Sequence, residues 1–157
     1  AKQQGLAKVN YVRRDEEEDG DEEETKPYYR RSKDSGAQVI GGAIFNARLD
    51  LSHPMAYGFN DEDMTLFRNS TLFIEKGRNP YSTPVYYTEQ PLASGYISDE
   101  NAEKLAGSGA VVISRYGGGK VIAMTDNPNF RAFWYGTNKL FANAVFFGHT
   151  ISSQSAN

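Results

Sequence analysis

Ala110–Val111–Val112–Ile113–Ser114, then Gly117–Gly118–Gly119, then Val121–Ile122–Ala123–Met124–Thr125: this stretch decides the fold class. Two β-branched apolar runs joined by glycines read as strand, turn, strand. The runs are continuous rather than alternating, and such strands are covered on both faces, as in α/β sheets flanked by helices. Upstream, Ser98 followed by Asp99 and Glu100 starts a helix, because a Ser cap and early acids satisfy the free N–H groups and the positive end of the dipole. Ala102, Leu105 and Ala106 form its inner face and Gly107 ends it. Downstream, Asn127 and Pro128 make a cap and first-turn pair. Thr137 then caps a last helix to Phe147, with Leu140, Phe141, Ala144, Val145 and Phe147 as a wide apolar face closed by Gly148. The class is α/β.

Further toward the amino end the pattern turns to strands. Ala37 to Leu51 reads as a strand broken at Gly41–Gly42, Thr65 to Glu75 as a second extended piece, and Pro84 to Thr88 as a third. Before them, Asp15 to Glu24 holds nine acids in ten residues. Carboxylates at that density repel and bury nothing, so the run is read as a solvated loop or linker. It lacks the alternating ligands and glycine spacing of an EF-hand loop. Ala1 to Val12 reads as a helix end stopped at Gly5, followed by a short apolar stretch. The division expected is therefore residues 1–35, a helix remnant and acidic linker, and residues 36–150, an α/β domain. The absence of an initiating Met suggests a processed chain or a piece of a longer one.

The 157 residues suffice for one domain with its own core, and 39% hydrophobic against 24% charged residues favours a globular chain. No apolar run reaches the ~20 residues of a membrane span, and the polar amino end is no signal peptide. Cys is absent, which excludes thiol catalysis, disulfides and Cys-ligated metals. Outside the acidic run, eleven acids face seventeen Lys plus Arg, a charge of about +6. These cations are scattered singly, which is not a nucleic-acid signature.

Catalytic motifs are few. The glycines before Lys120 lie between two strands and lack the spacing and Ser/Thr of a phosphate loop, so they read as a hairpin turn. His53 precedes Pro54–Met55–Ala56 and His149 sits after the last helix. Neither has the partners of a zinc site, and both read as turn or surface residues. No Gly-x-Ser-x-Gly elbow occurs. Asn69–Ser70–Thr71 matches the glycosylation pattern, which a side-chain turn equally explains. The densest constellation is Thr125 to Thr137, just past a strand end, where α/β sheets place ligands. Asp126, Asn127, Asn129, Arg131, Trp134 and Tyr135 form a candidate interaction loop for a sugar or a peptide carboxylate, by stacking and forked hydrogen bonds. The competing reading makes Phe130, Phe133 and Trp134 core anchors, with Arg131 pairing Asp126 to seat the turn.

The run from Gly119 through Thr125–Asp126–Asn127–Pro128–Asn129–Phe130–Arg131–Ala132–Phe133–Trp134–Tyr135–Gly136–Thr137 to Phe147 resembles the carboxy-terminal end of large bacterial zinc carboxypeptidases. These carry a peptidase domain of the carboxypeptidase A class followed by a domain similar to class I glutamine amidotransferases. Gly42–Ala43–Ile44–Phe45, Leu49 to Pro54 and Thr88 to Ser98 fit the same trailing domain, so the likeness spans roughly residues 36–148. It implies a flavodoxin-like sandwich whose first strands and helices lie upstream of Ala1. It also implies a secreted or periplasmic parent, with zinc held by the other domain. Active amidotransferases place a His-Pro-Glu motif where this chain has Asn127–Pro128–Asn129. The Pro is kept and both ionisable groups are lost, and an amide does not titrate near neutral pH. The resemblance therefore implies a non-catalytic accessory domain, with the parent's peptidase domain as partner, no catalytic, cofactor or metal residues in this stretch, and no nucleic-acid or membrane partner. Self-association is compatible with it. The alternatives are an amidotransferase-like hydrolase active in its own right, or a carbohydrate- or peptide-binding module.

Overall fold

The computed structural model describes residues 9–12, 36, 39–132 and 134–152. The helix end expected at the amino terminus and the acidic run at 15–24 lie outside the described residues. The order is β1 (Ala43–Leu49), β2 (Asp63–Arg68), β3 (Val85–Ser94), α1 (Asp99–Leu105), β4 (Gly109–Tyr116), β5 (Gly119–Met124) and α2 (Tyr135–Phe147). Short 3-10 turns at Pro54–Ala56, Pro80–Ser82, Phe130–Ala132 and Gly148–Thr150 join them. The strands form one sheet in the order β2-β1-β3-β4-β5, and every pairing is antiparallel. No helix among the described residues is long and apolar enough to cross a membrane.

The mixed class expected from the sequence holds, but the strand directions differ from those of a doubly wound sheet. The reason lies in β4. Its residues Gly109 to Ser114 are all buried, as the continuous run required. One face meets the main core of Phe45, Leu49, Val85, Leu105 and Leu140. The other is covered by Val9 and Ile74, with Tyr11 alongside, through bridges Tyr11↔Ile74 and Ile74↔Gly109. A continuous apolar run reports two covered faces, and an extended segment covers the second one here without any helix.

Several boundaries follow local chemistry. β1 starts at Ala43, directly after Gly42, whose φ of 124° suits glycine. Gly95, just past β3 with φ 105°, lets the backbone pass close to β1: a Cβ there would lie 2.7 Å from that of Ala43. The second extended piece splits, with β2 ending at Arg68 and only Ile74 bridging further on. β4 and β5 meet as a hairpin, Tyr116↔Gly119, around Gly117 with φ 56°. Helix α1 is capped as the sequence predicts, Ser98 Oγ accepting from the Asn101 N–H at 3.4 Å. Helix α2 starts two residues before Thr137, which therefore does not cap it; Trp134 is the cap position and makes no side-chain cap bond. The apolar face predicted for α2 is only partly used, with Leu140 buried, Ala144 and Phe147 half-buried, and Phe141 and Val145 exposed.

The sheet curls so that its two outer strands converge. Arg68, at the end of β2, reaches Asp126, two residues past β5. Ser70 Oγ donates to the Thr125 carbonyl at 3.3 Å across the same gap.

Candidate functional site

The loop after β5 is built from its first residue. The Thr125 N–H and hydroxyl both donate to the Ala110 carbonyl, at 3.0 and 3.3 Å, which fixes the exit from the sheet. Asp126 then turns inward. Its Oδ1 receives Arg68 Nη1 at 2.8 Å, and its Oδ2 receives the Tyr87 hydroxyl and, at 3.4 Å, that of Thr125. The Arg68 side chain is 1% exposed and that of Asp126 6%. Arg68 Nη2 also donates to the Leu72 carbonyl, and its guanidinium carbon lies 5.1 Å from the centre of the Phe73 ring. Burial pushes the Asp126 carboxyl up from the ordinary aspartate range, against the downward pull of Arg68 and the hydroxyls. Burial, reinforced by the Asp126 charge, holds the Tyr87 hydroxyl far above the usual tyrosine range, so Tyr87 stays a donor.

This pairing corrects one reading of the sequence. Asp126 is seated by Arg68 rather than by Arg131. The missed signal was the alternation of β2, where Met64, Leu66 and Arg68 share one face, so the period of two already pointed Arg68 inward. Arg131 is exposed, with its guanidinium carbon 5.2 Å from the Phe130 ring centre. Arg131 and Ala132 both take left-handed backbone angles, φ 52° and 53°. The rest of the loop is a turn of its own. Asn127 Oδ1 accepts from the Asn129 N–H at 3.0 Å, and the N–H groups of Phe130 and Ala132 return to the carbonyls of Asn127 and Asn129. Phe130 stacks on Phe67, ring centres 4.0 Å apart and 18° from parallel. Thr137 Oγ1 donates to the Pro128 carbonyl at 2.6 Å, tying α2 to the turn.

The six candidate residues are thus divided. Asp126 belongs to the buried cluster, while Asn127, Asn129, Arg131 and Tyr135 are exposed. Phe133 lies outside the described residues. Trp134 is half-buried rather than a core anchor. It lines a cavity of about 10 Å³ above Leu66 and Asp126, and one wall of an open groove of about 430 Å³. Sequence reasoning missed the other wall, formed by Gly58 to Asp61 and the start of β2. Lys139 closes one end, donating to the Gly58 carbonyl at 2.7 Å with Nζ 5.0 Å from the Phe59 ring centre. Asp63, Met64 and Thr65 carry the groove into a second trough of about 530 Å³ across β1 to Thr88.

The two histidines stand apart from this site. His53 is buried in the turn before Pro54, its Nδ1 accepting the Met55 N–H at 3.1 Å, and burial lowers its pKa. His149 is exposed in the turn after α2. Among the described residues no three of His, Cys, Asp and Glu come together as metal ligands. Compared with models of protein families, with curated proteins and with solved structures, the chain matches none of them.

Proposed function

We propose that the chain is a non-catalytic accessory domain of a secreted or periplasmic zinc metallocarboxypeptidase, built on an amidotransferase-like, flavodoxin-related scaffold. It packs on the peptidase domain of the same parent chain or presents substrate to it. The family resemblance supplies this reading, and one observation supports it: the chemistry of the loop after β5. At the position where active amidotransferases carry an acid-base pair, Asn127 and Asn129 are bonded to each other in a turn. The adjacent carboxylate, Asp126, is sealed against Arg68 and Tyr87. A general base must reach its proton and titrate near the working pH; the two amides do not titrate there, and the Asp126 carboxylate is sealed away from any substrate proton. Among the described residues His53 is engaged by the Met55 N–H, and no three of His, Cys, Asp and Glu gather as a zinc ligand set. A flavodoxin-like sandwich would place its parallel strands outside the antiparallel sheet described above.

The test uses the purified chain and the complete gene. The chain is expected to hydrolyse no peptide, glutamine or ester substrate and to hold no stoichiometric zinc. The complete gene is expected to encode a His-x-x-Glu zinc motif upstream without an elbow Cys. Turnover that disappears on Asn127→Ala, or one tightly held zinc per chain, overturns the reading.

A further inference from the structure

The groove beside Trp134 has the volume, the aromatic wall and the polar rim of a ligand site. Its roughly 430 Å³ falls within the ~300–1,000 Å³ typical of small-molecule pockets. Trp134 is half-buried and lines both the small cavity and the groove. Opposite stand Asn60, Asp61 and Thr65. At Gly136, also in the wall, nothing lies within 4 Å of where a Cβ would be, so a ligand can approach the start of α2 closely. The second trough continues from Thr65 to Asn46 and Thr88, with Thr88 Oγ1 3.5 Å from the Asn46 carbonyl.

The charges in this channel narrow the ligand class. Its two cations are engaged: Arg48 pairs with Glu62 at 3.0 Å and Asp63 at 3.6 Å, and Lys139 is fastened to Gly58. Asp61 accepts one hydrogen bond, from the Asp63 N–H at 3.0 Å, among the described residues. An ionised carboxylate has about four lone-pair sites, so it retains acceptor capacity. Carboxylates facing the channel disfavour anionic ligands, nucleic acid included. The lining sets the apolar side chains of Phe59, Met64 and Trp134 beside amide, hydroxyl and carboxylate groups. A peptide strand, which needs apolar pockets for alternate side chains, is the competing ligand that the titration below includes. A sugar ring offers an apolar C–H face for an indole and a rim of neighbouring hydroxyls that both donate and accept. Two adjoining troughs suit more than one ring.

We infer that the groove between Trp134 and Asp61, continued across β2 and β1 to Thr88, binds a neutral oligosaccharide, with one ring stacked on Trp134 and its hydroxyls bonded to Asn60, Asp61 and Thr65. This does not rest on the accessory-domain reading, and its failure leaves that reading standing.

Trp134 is the single tryptophan of the chain, so its emission reports the site directly. The full chain is titrated with tetrasaccharides of β-1,4-linked N-acetylglucosamine, β-1,4-linked glucose, α-1,4-linked glucose and β-1,4-linked mannose, with tetra-alanine as the peptide control. At least one saccharide is expected to give a saturating change. Its Kd should rise about tenfold or more in Asp61→Ala through loss of a charge-assisted hydrogen bond. In Gly136→Leu, which removes no contact but fills the groove, binding should be lost while the thermal midpoint is kept. The inference is overturned if no saccharide changes the emission, if tetra-alanine saturates it instead, or if both variants bind like the parent.

Discussion

Asp126 and Arg131 stand five residues apart in one loop and have opposite surroundings. The Asp126 carboxylate is 6% exposed, joined to Arg68 and two hydroxyls, and holds the two outer strands of a curled sheet together. Arg131 lies in solvent on a left-handed backbone and touches only the ring of Phe130 among the contacts described. The first end of the loop closes the fold, and the second end, through Trp134, faces a groove. Loss at the first should therefore cost more stability than loss at the second.

The sharpest way to break this contrast is at the buried pair. Asp126→Asn leaves the Arg68 guanidinium buried without its counter-charge, and such a loss costs about 3–5 kcal/mol. Many domains have only ~5–15 kcal/mol in total. Arg68→Met strands the carboxylate in the same way and should be comparably severe. The double variant removes both charges while the new amide still accepts from Tyr87, and it should recover at least half of the summed loss. Urea unfolding of the four chains measures this. Additive losses would mean that Arg68 and Asp126 act separately, and the clasp would be discarded.

Trp134→Ala should come next. A fully buried Trp costs ~3–5 kcal/mol when removed. The half-buried ring here also covers the small cavity above Leu66, so roughly half of that, about 2 kcal/mol, is expected. A loss as large as that of Asp126→Asn would return Trp134 to the core and remove the contrast. A loss near zero would make it purely a groove wall.

Ala132→Gly should move stability the other way. Ala132 holds φ 53°, a region that costs a side-chain-bearing residue about 1 kcal/mol relative to glycine. The gain is expected to be ~0.5–1 kcal/mol, because glycine also loses more freedom on folding. A destabilised variant would show that the methyl group makes packing contacts worth more than the strain it carries.

The two ends of the loop also differ in how plainly the sequence displayed them. The glycine hairpin, the Ser98 cap and the burial of β4 were all readable, because each depends on neighbours along the chain. The coarse class followed from them. Strand direction did not, because β4 would carry the same apolar run whether a helix or the segment Val9–Val12 covered its second face. The partner of Asp126 was misread for a similar reason. Arg131 is near in sequence, whereas Arg68 is 58 residues away and only the curl brings it close. The groove was half legible: its tryptophan stood out, but Asn60 and Asp61 are an ordinary polar turn until the fold sets them opposite it.

His53 supplies the smallest effect, and it tests whether burial away from the clasp is felt at all. The ring sits in the turn before Pro54 with Nδ1 accepting from Met55, and burial lowers its pKa below the ordinary 6.5. Below pH 6.5 the unfolded chain therefore takes up a proton that the folded chain refuses. Protonation would also replace the Nδ1 acceptor by a donor facing the Met55 N–H. Stability contributed by the neutral ring is thus complete above pH 6.5 and is lost as pH falls through that value toward the folded pKa. The charge of Asp50 nearby pulls the other way. Urea midpoints measured between pH 7.5 and 5.5 should decline toward acid in the parent. The decline should be shallower in His53→Asn, whose side-chain oxygen can still accept from Met55 but does not titrate. Equal slopes in the two proteins would place the acid sensitivity elsewhere, with the buried Asp126 as the next group to replace.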